Sequence, residues 1–112
     1  MSDCLFCKIV AADIPAEIVY DDEQILVFKD INPRAAVHLL AIPKIHLTSL
    51  EDVTDEHQML IGHIMMQLPN LARAQGIPDG FRTIINTGPG GGQEVGHLHI
   101  HLLGGKNLPG FN

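Results

Sequence analysis

Three histidines alternate with aliphatic residues near the end of the chain, and imidazole can act as a nucleophile, acid or base near neutral pH. The run reads His97-Leu98-His99-Ile100-His101-Leu102-Leu103. Successive side chains of a strand point to opposite faces, so the pattern predicts one imidazole face and one apolar face. Neighbouring imidazoles of such a face lie roughly 6.6 Å apart and can surround one phosphate-sized anion. The alternative is a half-buried strand whose polar face happens to be histidine, and three histidines in strict alternation argue against it.

A glycine-rich segment directly precedes the histidines and reads Gly88-Pro89-Gly90-Gly91-Gly92-Gln93. Because glycine has no side chain, the main chain can approach a ligand there and offer N–H donors to an anion. Alone, such a segment is typical of a flexible turn. Joined to the histidine strand, it predicts a phosphate cradle.

The segment 92–105 resembles the histidine triad (HIT) family, and within it the branch of Hint-type nucleotide-binding proteins. The matching residues are Gly92-Gln93-Glu94-Val95-Gly96, then His97-Leu98-His99-Ile100-His101-Leu102-Leu103-Gly104-Gly105. Earlier segments fit the same pattern: Phe28-Lys29-Asp30-Ile31-Asn32-Pro33, His38-Leu39-Leu40-Ala41-Ile42-Pro43-Lys44 and Ile85-Asn86-Thr87-Gly88. The resemblance therefore runs from about residue 4 to residue 105, in a single predicted domain 1–112.

This resemblance implies a nucleotide-binding hydrolase, or nucleotidyl transferase, that opens the P–N bond of purine nucleoside 5′-phosphoramidates, as an adenosine 5′-monophosphoramidase does, or a related P–O bond. It implies that His99 is the nucleophile and forms a covalent nucleotidyl-histidine that water then releases. A neutral imidazole nitrogen is a competent nucleophile near neutral pH, so the chemistry is sound on its own terms. His101 and the N–H groups near residues 92–95 would stabilise phosphoryl charge, with no catalytic metal required.

The resemblance also assigns the nucleotide pocket. It places Asn86 beside the phosphate, His38 behind the triad as a third catalytic residue, and Asp30 on the ribose hydroxyls. Asp30 could equally be a turn residue, since Asp, Asn and Pro are turn formers. The apolar residues expected to line the base pocket are Leu5, Phe6, Phe28, Ile31 and Leu40, and those expected around the phosphate are Gly92, Gln93, Glu94 and Val95.

Three departures from the family pattern bear on substrate preference. Glu94 stands where many relatives have a serine, and a carboxylate there repels phosphate unless it turns outward. Gly96 stands where an aromatic residue is common, which predicts a more open wall. The chain ends at Asn112, so contacts made by a longer C-terminal tail are expected to be shortened or lost.

Two cysteines in the spacing Cys4-Leu5-Phe6-Cys7 favour a metal site, because no strand precedes them as in a thioredoxin-type redox motif. A closed tetrahedral zinc site needs two further ligands, and His46 and His97 are the candidates. The alternative is a pair of reduced thiols on the buried side of a short helix. If zinc binds, His97 is structural.

The coarse pattern predicts an α+β fold with an antiparallel sheet of about five strands, a short N-terminal helix and one long helix, the helices packed on one face. The helix is predicted at 3–12 and strands at 17–20, 24–28, 37–42, 81–87 and 96–103. The long helix is predicted to start at Thr54 or Asp55, to kink at Pro69 and to stop near Gly76. His57 and His63 on it are expected to be solvated or structurally satisfied.

Composition excludes several classes of partner. A formal net charge of −6 with seven Lys plus Arg argues against binding a nucleic-acid backbone. The sequence has no apolar run long enough to predict a membrane span and no pattern typical of a signal peptide. The cytoplasm is therefore the expected compartment. Met59, Met65 and Met66 on the long helix could fill a core or form an adaptable interface. The family commonly dimerises through that helix and an edge strand, so a homodimer is expected.

The sequence is compatible with two other functions. The first is a purine nucleotide sensor without catalysis, which binds AMP or GMP through the triad. The second is hydrolysis of dinucleoside polyphosphates, as in the Fhit-like branch, although Gly104-Gly105 after the triad favours the Hint-type assignment. The choice between adenine and guanine stays undecided.

Overall fold

The computed structural model describes residues 3–108 and residue 110. Residues 1, 2, 109, 111 and 112 of the predicted domain 1–112 lie outside the described part. The elements within it are α1 Leu5–Val10, β1 Ile18–Asp21, β2 Ile25–Lys29, β3 Val37–Pro43, α2 Gln58–Ala74, β4 Arg82–Ile84 and β5 Ile100–Gly104. The strands form one sheet in the order β1-β2-β3-β5-β4, and each neighbouring pair is antiparallel. The predicted α+β fold with five strands, a short helix and a long helix is confirmed.

The two helices cover opposite faces of the sheet, so the prediction that they share one face is wrong. Ile25 and Val27 of β2 join the core beneath α2, whereas the alternating Leu26 and Phe28 join the core beneath α1. All four side chains are buried. A strand between two neighbours that is apolar at four consecutive positions buries both faces and therefore needs cover on each side.

The long helix is anchored by an apolar stripe at helical spacing. Its buried residues are Leu60, Ile64, Leu68, Leu71 and Ala72. A 3₁₀ turn at Asp55–His57 precedes α2, and Thr54 and His57 form a capping box there. The helix runs through Pro69 to Ala74, and Gly76 follows with a positive φ of 80°, which glycine adopts readily.

The last strand begins later than its sequence suggests. The alternating run 96–103 predicts strand throughout, but β5 starts at Ile100 and includes only His101 of the three histidines. The N–H of His97 donates to the carbonyl of Val95 at 2.9 Å, and that of Leu98 to Leu47 at 2.7 Å. These bonds take the main chain out of the sheet ladder. The first helix and β4 are likewise shorter than the predicted 3–12 and 81–87.

The alternation of faces nevertheless holds through the histidine run. Leu98, Ile100 and Leu102 are buried in the core beneath α2. The register of β3 with β5 pairs Leu40 with His101 and His38 with Leu103. Because directly opposed residues share a face, the polar site forms on the α1 side of the sheet. In the part of the chain that the structure describes, neither helix has the length and apolar character needed to cross a membrane.

Candidate active site

A cavity of about 530 Å³ lies on the α1 side of the sheet, and the predicted catalytic residues meet there. His38 on β3, His101 on β5 and His99 just before β5 all line it. The predicted nucleotide-binding residues that line it are Leu5, Phe6, Phe28, Asp30, Ile31, Leu40, Asn86, Gly92, Glu94, Val95, His99 and His101. Gln93 does not line the cavity, and His97 lies in a separate Cys/His cluster.

The ring of His99 is held by its own chain neighbour. Its Nδ1 lies 2.8 Å from the carbonyl oxygen of His97, and because a carbonyl only accepts, Nδ1 carries the proton. The neutral ring therefore has its lone pair on Nε2, the nitrogen that a nucleophile needs. Phe6 packs edge-on against this ring at 5.3 Å between centroids, and His101 lies at 5.0 Å. His99 is 6% exposed, so little water competes for Nε2.

A chain of hydrogen bonds sets the tautomer of His101. The N–H of Arg34 donates to Nδ1 of His38 at 3.0 Å, so neutral His38 carries its proton on Nε2. That nitrogen lies 2.9 Å from Nδ1 of His101 and donates to it. Neutral His101 then carries its own proton on Nε2. The site thus places an N–H donor on His101 beside the lone pair on His99.

Burial keeps these two supporting imidazoles neutral. The pKa of His101 is lowered to about 4, mainly by burial and also by the neighbouring rings of His99 and His38, while Asp30 opposes the shift. Burial also lowers the pKa of His38, although the negative charge of Asp30 acts in the opposite direction. Near pH 7 both rings are therefore uncharged, as the tautomer chain requires.

Asp30 takes part in both a turn and the cavity, so the two interpretations of its sequence position are compatible. Its Oδ1 accepts the N–H of Asn32 at 2.8 Å, which is an Asx turn. Its Oδ2 lies 3.4 Å from Nε2 of His38. Ile31, the next residue, is 87% exposed and lies at the mouth of the cavity.

The glycine-rich segment forms a tight loop beside the imidazoles. A 3₁₀ turn spans Pro89–Gly91, and Gly88 and Gly92 flank it with positive φ angles of 69° and 80°. The side-chain amide of Asn86 donates to the carbonyl of Gly91 at 2.8 Å. The loop is therefore tied to the segment that follows β4.

The side chain of Gln93 is used inside this loop. Its Oε1 accepts the N–H of Gly88 at 2.8 Å, and its Nε2 donates to the carbonyls of Thr48 and Val95 at 2.6 and 2.9 Å. In the structure the Gln93 side chain therefore holds the loop together, whereas the family resemblance implied a contact with the nucleotide. Residues 48 and 93 are distant in sequence, and nothing in the local pattern predicts their contact.

An apolar wall closes the other side of the cavity. Phe6 and Phe28 pack edge-on at 5.4 Å between ring centroids, and Leu40 is buried with them. Sequence reasoning missed several lining residues, namely Ile9, Ile14, Pro15, Ala16, Lys29, Asn32, Arg34, Ile84 and Leu103. Most lie in loops or at strand ends, where no periodicity shows which side chains meet a common cavity.

The four predicted metal ligands do come together. One ligand atom from each of Cys4, Cys7, His46 and His97 lies within 4.8 Å of all the others. Nδ1 of His97 is 3.3 Å from the sulfur of Cys4 and 3.5 Å from that of Cys7, and Nδ1 of His46 is 3.3 Å from Cys7. Tetrahedral zinc with ordinary bonds would hold sulfur and nitrogen about 3.6 Å apart. The residues present therefore fit zinc.

The outer nitrogens of both imidazoles support the same conclusion. Nε2–H of His97 donates to the carbonyl of Pro43 at 2.8 Å, and Nε2 of His46 lies 3.4 Å from the hydroxyl of Thr48. Zinc-bound histidines characteristically donate their second N–H to oxygen. Burial raises the pKa of the Cys7 thiol, an effect that a bound cation would reverse by favouring the thiolate.

The two histidines of the long-helix region have structural partners. Nε2–H of His63 donates to Asp22 at 2.7 Å, which joins α2 to the turn between β1 and β2. Burial alone would raise the pKa of Asp22, but the hydrogen bond from His63 and main-chain N–H donors hold it well below its usual range. Nδ1 of His57 accepts the N–H of Thr54 at 3.0 Å. Neither residue lines the cavity.

Comparison with known proteins places this site in a family. A family model for "Scavenger mRNA decapping enzyme C-term binding" matches residues 3–111. Protein HitA of Neisseria gonorrhoeae is 57% identical over 104 residues, covering 93% of this chain and 97% of that protein. Purine nucleoside phosphoramidase of Escherichia coli K12 is 43% identical over 107 residues, covering 95% and 90%. The 14 kDa zinc-binding protein of Zea mays is 42% identical over 109 residues, covering 96% and 85%.

Solved structures agree with the sequence matches. A HIT family hydrolase from Legionella pneumophila superposes with a TM-score of 0.91 at 47% identity, covering 94% of this chain and 95% of that one. A histidine triad protein from Clostridium difficile superposes with a TM-score of 0.94 at 44% identity, covering 100% and 98%. Since sequence, fold and the clustered imidazoles agree over nearly the whole chain, the protein belongs to the histidine triad (HIT) family.

Proposed function

We propose that the protein hydrolyses purine nucleoside 5′-phosphoramidates through a covalent nucleotidyl intermediate on His99. The observation that carries the proposal is the bond from Nδ1–H of His99 to the carbonyl of His97, which leaves the lone pair on Nε2 in a residue that lines the cavity. An imidazole held in this tautomer needs no base to become a nucleophile. The E. coli relative named purine nucleoside phosphoramidase supports the choice of a P–N bond.

The reaction proceeds in two displacements at the α-phosphorus. First, Nε2 of His99 forms a bond to phosphorus, the P–N bond breaks, and the leaving nitrogen keeps the electron pair and takes a proton from solvent. Second, a water oxygen bonds to phosphorus, the Nε2–P bond breaks, and the water proton returns to solvent. Phosphoramidate and water thus give the nucleoside monophosphate and an amine, and the protein is unchanged.

The other cavity residues bind and orient the substrate. Nε2–H of His101 donates to a phosphoryl oxygen, and His38 keeps that proton in place through its bond to Nδ1. The N–H groups of Glu94 and Val95 cradle the same anion, since within the described part of the chain they donate to no other group. Those of Gly92 and Gln93 are used inside the loop, which Asn86 braces. The carboxylate of Asp30 accepts hydrogen bonds from the ribose hydroxyls. The base stacks against an apolar wall formed by Leu5, Phe6, Phe28, Ile31, Leu40 and Val95.

Replacing the nucleophile tests the proposal. We expect His99→Gln to lower AMP release from adenosine 5′-phosphoramidate by at least about a thousandfold, because the covalent step is lost. AMP binding, measured by calorimetry, should persist because the cradle and the apolar wall remain. His63→Gln, the same substitution outside the cavity, serves as the matched control and should retain wild-type turnover.

The same assay separates the other functions. An inactive wild type that binds AMP would favour a nucleotide sensor. Faster turnover of a dinucleoside polyphosphate than of the phosphoramidate would favour P–O–P hydrolysis. Near-wild-type turnover by His99→Gln would contradict the role of His99.

We also propose that the Cys/His cluster binds structural zinc. Its sulfur–nitrogen distances of 3.3 to 3.5 Å and its two oxygen-bonded outer nitrogens support this, as does similarity to the maize zinc-binding protein. Bound there, zinc would join α1 to the segments that carry His46 and His97. It has no place in the displacement at phosphorus.

We propose that two copies of the chain associate through α2 and β4. Met59 and Met66 are 87% and 72% exposed, and because they are seven residues apart they lie on one stripe of α2. Strand β4 forms one edge of the sheet, and an edge strand can pair with a strand of a second copy. Flexible methionine side chains are suited to such a contact.

A further inference from the structure

Glu94 occupies a boundary between two cavities. It lines the imidazole cavity together with Gly92 and Val95, and it also lines a second, more open cavity beside the Cys/His cluster. Leu5 and Val95 line both cavities as well, so the two adjoin at this point. The side chain of Glu94 is exposed. A molecule extending out of the first cavity at this boundary passes a carboxylate.

The carboxylate of Glu94 has no bonding partner within the described part of the chain. It accepts no hydrogen bond there and forms no ion pair. By contrast, Lys29 pairs with Glu17 at 3.0 Å, and Asp30 is bonded to its own turn and lies beside His38. Glu94 therefore keeps its charge available to a bound molecule.

The position of Glu94 relative to a substrate follows from the proposed function, on which this inference depends. Two groups extend from the phosphorus held by the N–H groups of Glu94 and Val95, namely the nucleoside and the leaving amine. The nucleoside lies against the apolar wall and Asp30. The leaving amine must extend from the same phosphorus toward the open side, where Glu94 borders the cradle.

We infer that Glu94 is a specificity-determining residue that selects phosphoramidates whose leaving amine carries a positive charge, such as an ammonium-bearing alkylamine. The carboxylate attracts such a group and repels an anionic one, including the second nucleotide of a dinucleoside polyphosphate. At about 7 Å in a water-like environment, one unit charge changes affinity roughly threefold. The preference for a cationic over an anionic leaving group is then about tenfold.

Three matched substrates test the inference. They are adenosine 5′-phosphoramidates of amines of equal chain length that end in an ammonium, a methyl or a carboxylate group. We expect wild-type kcat/KM to fall in that order. Glu94→Gln should abolish most of the difference, and Glu94→Lys should reverse it. Ratios are compared within each variant, after correction for the uncatalysed rates, so a change in overall activity cancels.

A control and the salt dependence complete the test. Glu23→Gln removes the same charge from an exposed residue outside both cavities and should keep the wild-type ratios. Raising the ionic strength from about 0.05 M to 0.5 M should shrink the wild-type preference, since exposed charges are screened. Equal ratios in wild type and Glu94→Gln would overturn the inference and leave the proposed function intact. Wild-type inactivity on all three substrates would contradict the proposed function and, with it, this inference.

Discussion

Main-chain atoms determine which nitrogen of each imidazole in the site carries a proton. The carbonyl of His97 accepts a hydrogen bond from Nδ1–H of His99 and so selects the tautomer with its proton on Nδ1. The N–H of Arg34 donates to Nδ1 of His38 and so selects the tautomer with its proton on Nε2. The second effect passes to His101 through a 2.9 Å bond. Because two of these three partners are main-chain atoms and the third is a ring that one of them fixes, no ring has to reorient before a substrate binds, and such pre-organisation favours electrostatic stabilisation.

The buried imidazoles predict how stability depends on pH. Burial lowers the folded-state pKa of His101 to about 4, below the ordinary 6.5, so the unfolded chain binds more protons between these values. We therefore expect the free energy of unfolding to fall as the pH falls from about 6.5 toward 4. Denaturant unfolding at pH 7, 6 and 5 measures this, and His101→Gln should show a shallower decline. An equal decline in both proteins would contradict the assignment.

At the scale of elements, two sets of contacts hold α1 to the rest of the molecule. Phe6 and Ile9 pack into the core beneath the helix, while Cys4 and Cys7 face the imidazoles of His46 and His97. The helix has only six residues, too few to be stable alone. Its tertiary contacts, and zinc if it binds as proposed, therefore keep the apolar wall of the cavity in position.

Metal removal tests this arrangement. We expect wild-type protein to hold about one zinc per chain and Cys7→Ser close to none, because a tetrahedral site loses one of its four ligands. A strong chelator should lower the melting temperature of wild type and leave that of Cys7→Ser unchanged, since binding energy contributes to folding energy. Metal analysis and thermal unfolding give the two readouts. Wild-type zinc content in Cys7→Ser would refute the assigned ligand set.

At the scale of the whole molecule, the exposed methionines of α2 lie outside the two apolar layers that the helices form with the sheet. Buried apolar layers lie beneath α1 and beneath α2, so the fold has little need of further cover inside one chain. Large apolar side chains exposed on one helix stripe are characteristic of an interaction surface. The exposed stripe of α2 is therefore the surface at which we propose that a second copy binds.

Association of two chains is measurable by light scattering after size exclusion. We expect wild type to have twice the 12.2 kDa chain mass. Met66→Glu should shift the population toward the single-chain mass, because it buries a charge in the proposed interface. Gln58→Glu adds the same charge to α2 away from the Met59 stripe and should leave the mass unchanged. A single-chain mass for wild type would contradict the proposed dimer.

Much of this description could be predicted from the sequence, because it depends on local patterns. Alternation over 97–103 predicted the imidazole and apolar faces, and the C-x-x-C spacing with two histidines predicted a ligand set that the fold does bring together. Helical spacing located α2. The family resemblance supplied Asp30 and Asn86, whose positions in the cavity no local pattern reveals.

Tertiary structure alone decided the rest. The placement of α1 and α2 on opposite faces, the start of β5 at Ile100, the use of Gln93 within its own loop and the position of Glu94 between two cavities all depend on such contacts. Each results from atoms far apart in the chain, as when Leu98 bonds to Leu47 rather than to a strand. Periodicity reports which face a side chain prefers, whereas the partner on that face is set by how the whole chain packs.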